Sequence, residues 1–257
     1  TDDQRAFAET ADALFADYCS DDQLRAHDLS QAPCMQALWQ QCVASGLHAM
    51  WLPEAQGGLG LGFTELMAVL EAQGRALALV PLWEHQLAAG VLGRFGAGAE
   101  QARWVARAAA GEAMLSLSLA GCSAARGPGM MAVPVGQGWR LSGIVPAVPL
   151  AAQSAAVLLV AQVDGAARLV ALDPARLRAV PGRTQHHLAV ADLQADGLIL
   201  PPEAVLPAAA LAWAEPRAIA ALAALQLGVT TQQLQRTVAY VSERQQLEGA
   251  IHGTNAQ

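Results

Sequence analysis

Apolar positions recur every three to four residues up to about Gly111, every second residue from Met114 to about Leu206, and every three to four again from Leu211. Ala6, Phe7, Ala11, Leu14, Phe15 and Tyr18 predict an opening amphipathic helix, and Met35, Leu38, Trp39, Cys42 and Val43 a second. A third runs over Thr64 to Ala78, with Leu66, Leu70, Gln73 and Leu77 on a largely apolar face, Thr64 as N-cap and Glu65 as first-turn charge. Segments 83–95 and 99–109, the latter closed by Gly111, complete a bundle of about five helices.

Strands are predicted over 114–119, 139–142, 156–162, 167–172 and 197–200, with Asp164-Gly165 as a hairpin turn between the third and fourth. In the last part Ile219, Leu222, Leu225, Gln226 and Val229 line one helical face. Leu234, Val238 and Val241 continue it in a second helix after a kink near Gly228. The fold class is therefore α+β: an N-terminal all-α domain over 1–112, a middle all-β domain over 113–208, and a helical segment over 209–257.

Composition narrows the function classes. With 54% hydrophobic and 14% charged residues the chain is globular, and the apolar stretch Ala218 to Val229 is too short for a membrane span and carries Gln226. A net charge of −7 argues against nucleic-acid binding, whereas the absence of lysine and the abundance of alanine read as compositional bias. Cys19, Cys34, Cys42 and Cys122 have no CxxC spacing, so no metal site is expected, and free thiols with no leader segment imply a cytoplasmic location. No Walker loop, Rossmann fingerprint or Ser-His-Asp order is visible. His186-His187 reads as a surface pair.

The stretch from Trp51 to Leu82 carries the most specific order of motifs. Pro53 and Gly57, Gly58, Gly60 and Gly62 force a sharp corner immediately before a helix. Pro53-Glu54, Gly57-Gly58-Leu59-Gly60 and Glu71-Ala72-Gln73-Gly74-Arg75-Ala76 resemble, at this separation, the helical first domain of the acyl-CoA dehydrogenases. Gly111-Glu112, the run from Gly138 to Gly143, Leu193 to Pro202, and Glu243-Arg244-Gln245-Gln246 follow in family order, so the resemblance covers most of the chain. It implies that the middle domain is a β-barrel closed by Leu193 to Pro202 and that 209–257 is the start of a C-terminal helical domain that is incomplete here.

That resemblance implies removal of an α-proton and a β-hydride from an acyl-CoA thioester, with FAD accepting the hydride and a carboxylate the proton. It places the flavin against Leu117, Leu119 and Ala120 on one strand and Ala147, Val148 and Pro149 on another, with Arg244 reaching the pyrophosphate of a neighbouring subunit and Gln246 kept in the same motif. The alternative role of Arg244 is a solvated helix charge paired with Glu243 or Glu248. Three flavin positions depart from the family pattern, besides a glutamate that has become Gly121 and an aspartate that has become Ala155. A threonine has become Ala120, a flavin-stacking aromatic Ala147, and a phenylalanine Leu247, with Glu248 beside it. Glu215 is the one carboxylate available for catalysis on the first helix of the last domain, about a turn before the expected position near Ala218. Its alternative role is a helix-start charge.

The departures favour a diverged subunit of a heteromeric, steroid-CoA-type dehydrogenase, in which a homologous dehydrogenase subunit completes the site and FAD is held in the complex. The alternatives are an active homomeric dehydrogenase with its base beyond Gln257, a non-catalytic structural subunit, and a flavin oxidase or monooxygenase on the same fold. The resemblance further implies an electron-transfer flavoprotein as partner. Two helices with apolar faces at Ile219, Leu222, Leu225 and Leu234, Val238, Val241 cannot cover themselves, so an oligomer is expected.

Overall fold

The computed structural model describes residues 2–120, 122 and 129–243. Among them, helices α1 (Asp2–Tyr18), α2 (Asp21–Ser30), α3 (Gln36–Ala44), α4 (Phe63–Ala76), α5 (Leu82–Phe95) and α6 (Ala99–Ala109) come first. Strands β1 (Met114–Ser118), β2 (Met130–Val135), β3 (Gly138–Pro149), β4 (Ser154–Val163), β5 (Ala166–Leu172), β6 (Arg178–Arg183) and β7 (Ala189–Leu200) follow, and then α7 (Ala208–Glu243).

The bundle thus has one helix more than its periodicity predicts. Helix α2 is polar, and a capping box starts it: the Ser20 side chain accepts from the Gln23 N–H while the Gln23 side chain accepts from the Ser20 N–H. Helix α4 starts earlier than expected, with Gly62 as N-cap and Thr64 already inside. Thr64 instead bonds its hydroxyl to Glu65. Gln73, on the apolar face, is buried and donates to the carbonyls of Ala78 and Val80, which ties the chain leaving α4 back onto the helix.

The strands form one seven-stranded mixed sheet in the order β1-β4-β2-β3-β7-β6, with β5 on the other edge of β4. Parallel β1 covers Ser154 to Leu159 of β4, and β2 covers Ala161 to Val163. The Asp164-Gly165 turn is present, both residues having positive φ (49° and 79°), as a two-residue β4–β5 hairpin requires. The expected barrel is not closed among the described residues. The far edge of β5 makes one isolated bridge, Val170 to Val205, and β6 is an exposed edge strand carrying Pro181, which has no N–H to offer.

Helix α7 is continuous. The expected break near Gly228 is absent, and that glycine serves close approach instead. A Cβ at Gly228 would collide with the Glu71 carbonyl, and one at Gly74 with the Leu225 carbonyl, so α4 and α7 cross backbone to backbone. By length and composition α7 could cross a membrane, with a mean hydropathy of 1.3 over its most apolar 18 residues. Its apolar residues divide between two faces. Ala210, Ala214, Ala218 and Ala221 are buried against the rest of the chain, whereas Ile219, Leu222, Leu234, Val238 and Val241 are at least half exposed.

Three apolar clusters hold the layers together. One joins α1, α3 and α4, one joins α5 and α6 to β1, β4, β5 and the start of α7, and one fills the sheet. Trp51 stacks on Trp213 at 5.2 Å and 8°, with the Arg217 guanidinium 4.2 Å from the Trp213 ring, and this stack clamps the first part of α7 to the glycine-rich corner. His187 of the β6–β7 loop lies 3.5 Å from Asp28, so the expected surface pair touches α2.

Candidate active site

Strand β1 is buried along its whole length, yet its sequence is Met-Leu-Ser-Leu-Ser. Each polar group has a fixed partner. The Leu115 N–H donates to His85 Nδ1 at 3.1 Å, the Ser116 hydroxyl to the Pro149 carbonyl at 2.6 Å, and the Ser118 hydroxyl accepts from the Ala120 N–H at 3.3 Å. These bonds seat the end of β1 beside the corner where β3 ends.

There a cavity of about 300 Å³ opens between the sheet, α5 and α7. Leu117, Leu119, Ala120, Ala147 and Pro149 wall one side, Trp83 stands at the α5 end, and Glu215, Ala218, Ile219 and Leu222 come from α7. Its lining is mostly apolar, and among the described residues Glu215 is the one carboxylate in it. Glu215 is exposed. Cys122, also at the cavity, has its thiol pushed up to about 11, first by burial and then by the Glu215 charge. A larger groove of about 820 Å³ between α1, α4 and the second half of α7 holds none of the expected site residues, and its arginines are taken up by acids: Arg75 by Asp12 and Glu71, Arg236 by Asp21.

Behind Trp83 lies Glu84, fully buried, whose carboxyl is pushed up to about 7 by burial, against the opposing pull of a hydrogen bond from the Trp83 side chain. Its Oε2 has no partner. The adjacent His85 is pushed down to about 3, first by burial and then by neighbouring His48.

A helical bundle, an open mixed sheet and a long returning helix meet at one apolar cleft, an architecture shared with the acyl-CoA dehydrogenases. The chain belongs to the acyl-CoA dehydrogenase family, whose members are FAD-dependent oxidoreductases. The family's N-terminal domain matches residues 1–112. Acyl-CoA dehydrogenase FadE27 of Mycobacterium tuberculosis is 30% identical over 244 residues, covering 93% of this chain and 65% of that protein, so the chain spans about two thirds of its curated relative. A variant of the Tcur3481-Tcur3483 steroid ACAD superposes with a TM-score of 0.88 at 32% identity, over 98% of this chain and 70% of that one. The ChsE4-ChsE5 complex from Mycobacterium tuberculosis gives a TM-score of 0.88 at 27% identity, with the same coverage.

Of the expected site residues, Leu117, Leu119, Ala120, Ala147, Pro149 and Glu215 come together at the cavity. Val148 does not. It is fully buried in the sheet core with Leu141, Val145 and Leu193, because alternation along β3 turns it inward between Ala147 and Pro149. Glu215 is no helix-start charge: α7 begins at Ala208, which puts Glu215 a full turn beyond the first. Arg244 and Gln246, with Leu247 and Glu248, lie outside the described residues. Periodicity did not single out Trp83, Ser116, Ser118 or Cys122 as site residues. The available signal was two serines alternating with leucines in a buried strand, since buried hydroxyls need a purpose.

Proposed function

We propose that this chain is a subunit of an acyl-CoA dehydrogenase assembly that forms the α,β double bond of an acyl-CoA thioester, and that a homologous dehydrogenase subunit completes its site. One observation carries this reading: six residues from β1, its exit, β3 and α7, far apart in sequence, converge on one apolar cavity, Glu215 being the single carboxylate among its described lining residues. The residues present fit the face of a flavin ring. Aliphatic side chains of Leu117, Leu119, Ala120, Ala147 and Pro149 leave a slot bounded by fixed backbone. When bound, FAD supplies the acceptor for the hydride that leaves the β-carbon.

The chain's own residues then have distinct tasks. Leu117, Leu119 and Pro149 exclude water, Trp83 and Leu222 bound the space left for the acyl group, and Glu215 is the candidate to take the α-proton. Ala120 and Ala147 take away a hydroxyl and a ring that family members offer the cofactor, which favours a site shared with a partner. The exposed apolar face of α7 supports the same view, because Ile219, Leu222, Leu234, Val238 and Val241 need a covering surface. A steroid-derived acyl group is the finer substrate reading, supported by likeness to the steroid ACAD structure, and an electron-transfer flavoprotein is the electron acceptor that the family resemblance implies. Cytoplasmic location is supported by Cys19, Cys34 and Cys42, which are free and buried.

The test is the visible flavin spectrum of the chain expressed alone and with a homologous dehydrogenase subunit. Flavin only in the complex, at about one per pair, is the expected result. Stoichiometric flavin in the chain alone would sink the shared-site reading in favour of an active homomer. In the complex, Glu215→Gln should abolish turnover while leaving flavin content unchanged. Unchanged turnover would move the base to the partner.

A further inference from the structure

We propose that Asp192 is the positioning residue of the cofactor platform, holding the strained corner of β3 against the cavity through the backbone of Ala147. The inference rests on the cofactor reading above and adds a residue that itself lines no part of the cavity.

The register of β3 on β7 carries it. Val145 pairs with Leu193 and Val148 with Ala191, so Pro146 and Ala147 together oppose the single residue Asp192. Val145 and Val148 are both buried in the sheet core, although residues three apart in a regular strand point to opposite faces. One extra residue resolves the conflict, and this β-bulge turns Ala147 and Pro149 together toward the cavity.

The bulge is strained. Ala147 has φ 51° and Leu150 φ 45°, the left-handed region that favours glycine over both. Such a conformation persists only where its surroundings over-determine it. Here side chains bond the backbone on three sides. Asp192 Oδ1 accepts from the Ala147 N–H at 2.8 Å, the Ser116 hydroxyl donates to the Pro149 carbonyl at 2.6 Å, and the Ser154 hydroxyl donates to the Leu150 carbonyl at 2.9 Å. Of the three, Asp192 alone grips the left-handed alanine, and it supplies the acceptor that the bulged N–H lacks in the ladder. Without it the alanine has reason to relax, and the Ala147–Pro149 edge shifts out of register with the cavity.

The measurement is FAD affinity, by quenching of flavin fluorescence, in whichever preparation takes up flavin: the full chain alone or with its partner subunit. Asp192→Ala is expected to weaken FAD binding about tenfold. Asp192→Asn keeps the acceptor oxygen and stays within about threefold of wild type. Adding Ala147→Gly to Asp192→Ala restores most of the lost affinity, because glycine holds the left-handed corner unaided. A merely structural role for Asp192 would lower the melting temperature without moving affinity and would show no rescue by glycine. Wild-type affinity in Asp192→Ala, or loss that glycine does not restore, overturns the role of Asp192 while the cofactor reading stands. No flavin uptake by the wild type, alone or with partner, overturns both.

Discussion

Glu84 and His85 are neighbours on α5, both fully buried, and burial drives them in opposite directions, so their effects on stability mask each other in the wild-type protein. Glu84 has its carboxyl raised from 4.5 to about 7. The folded state therefore holds a proton that the unfolded state releases, and this contribution is complete below pH 4.5 and lost as the pH rises to 7. At 1.36 kcal/mol per pH interval, that is a loss of ~3 kcal/mol. His85 is lowered from 6.5 to about 3. Its contribution is complete above pH 6.5 and is lost as the pH falls toward 3, by ~5 kcal/mol. Between pH 4.5 and 6.5 the two slopes cancel, and the pair leaves a plateau. Glu84→Gln removes one of them. In the variant, stability falls continuously from pH 6.5 downward, a large share of the ~5–15 kcal/mol typical of a folded domain. Urea unfolding of both proteins from pH 3.5 to 8 at fixed ionic strength reads the difference directly. The wild-type minus variant stability should drop by ~3 kcal/mol between pH 4.5 and 7. Parallel curves over that interval would refute the assignment of a protonated Glu84.

Gly228→Ala drives a methyl group into the Glu71 carbonyl of α4, where backbone cannot yield. A loss of ~1–3 kcal/mol is expected in denaturant unfolding, and an unchanged midpoint would mean the two helices do not cross so closely. Trp213→Ala removes the stack on Trp51 and the platform under Arg217, at a cost of ~3 kcal/mol. If the melting temperature stays the same, the clamp on α7 is not in place.

Much of the fold was legible where a local rule was strong. Helix α6 begins and ends where its periodicity and Gly111 put it, and Asp164-Gly165 makes the hairpin that its residue types demand. Helix α2 escaped because its inward residue is His27, not a run of leucines, although Ser20 and Gln23 spelled its cap. Strands β2 and β6 contain Pro134 and Pro181, which argue against a strand. They are tolerated because Pro134 lies beyond the three residues of β2 that pair with β4, and Pro181 lies on the edge strand.

By itself the sequence determined the order of helical, strand and helical regions and pointed to the family, because period, caps and turn residues act over a few positions, and the order of motifs accumulates along the chain. It also named Leu117, Leu119, Ala120, Ala147, Pro149 and Glu215, half of the residues that line the cavity. The tertiary structure alone decided that Trp83, Leu117 to Ala120, Ala147, Pro149 and Glu215 share one space, that Val148 turns inward, and that Gly228 marks a crossing and not a kink. Those outcomes depend on a one-residue bulge in β3 and on how closely α7 can approach α4, quantities set by packing between segments far apart in the chain.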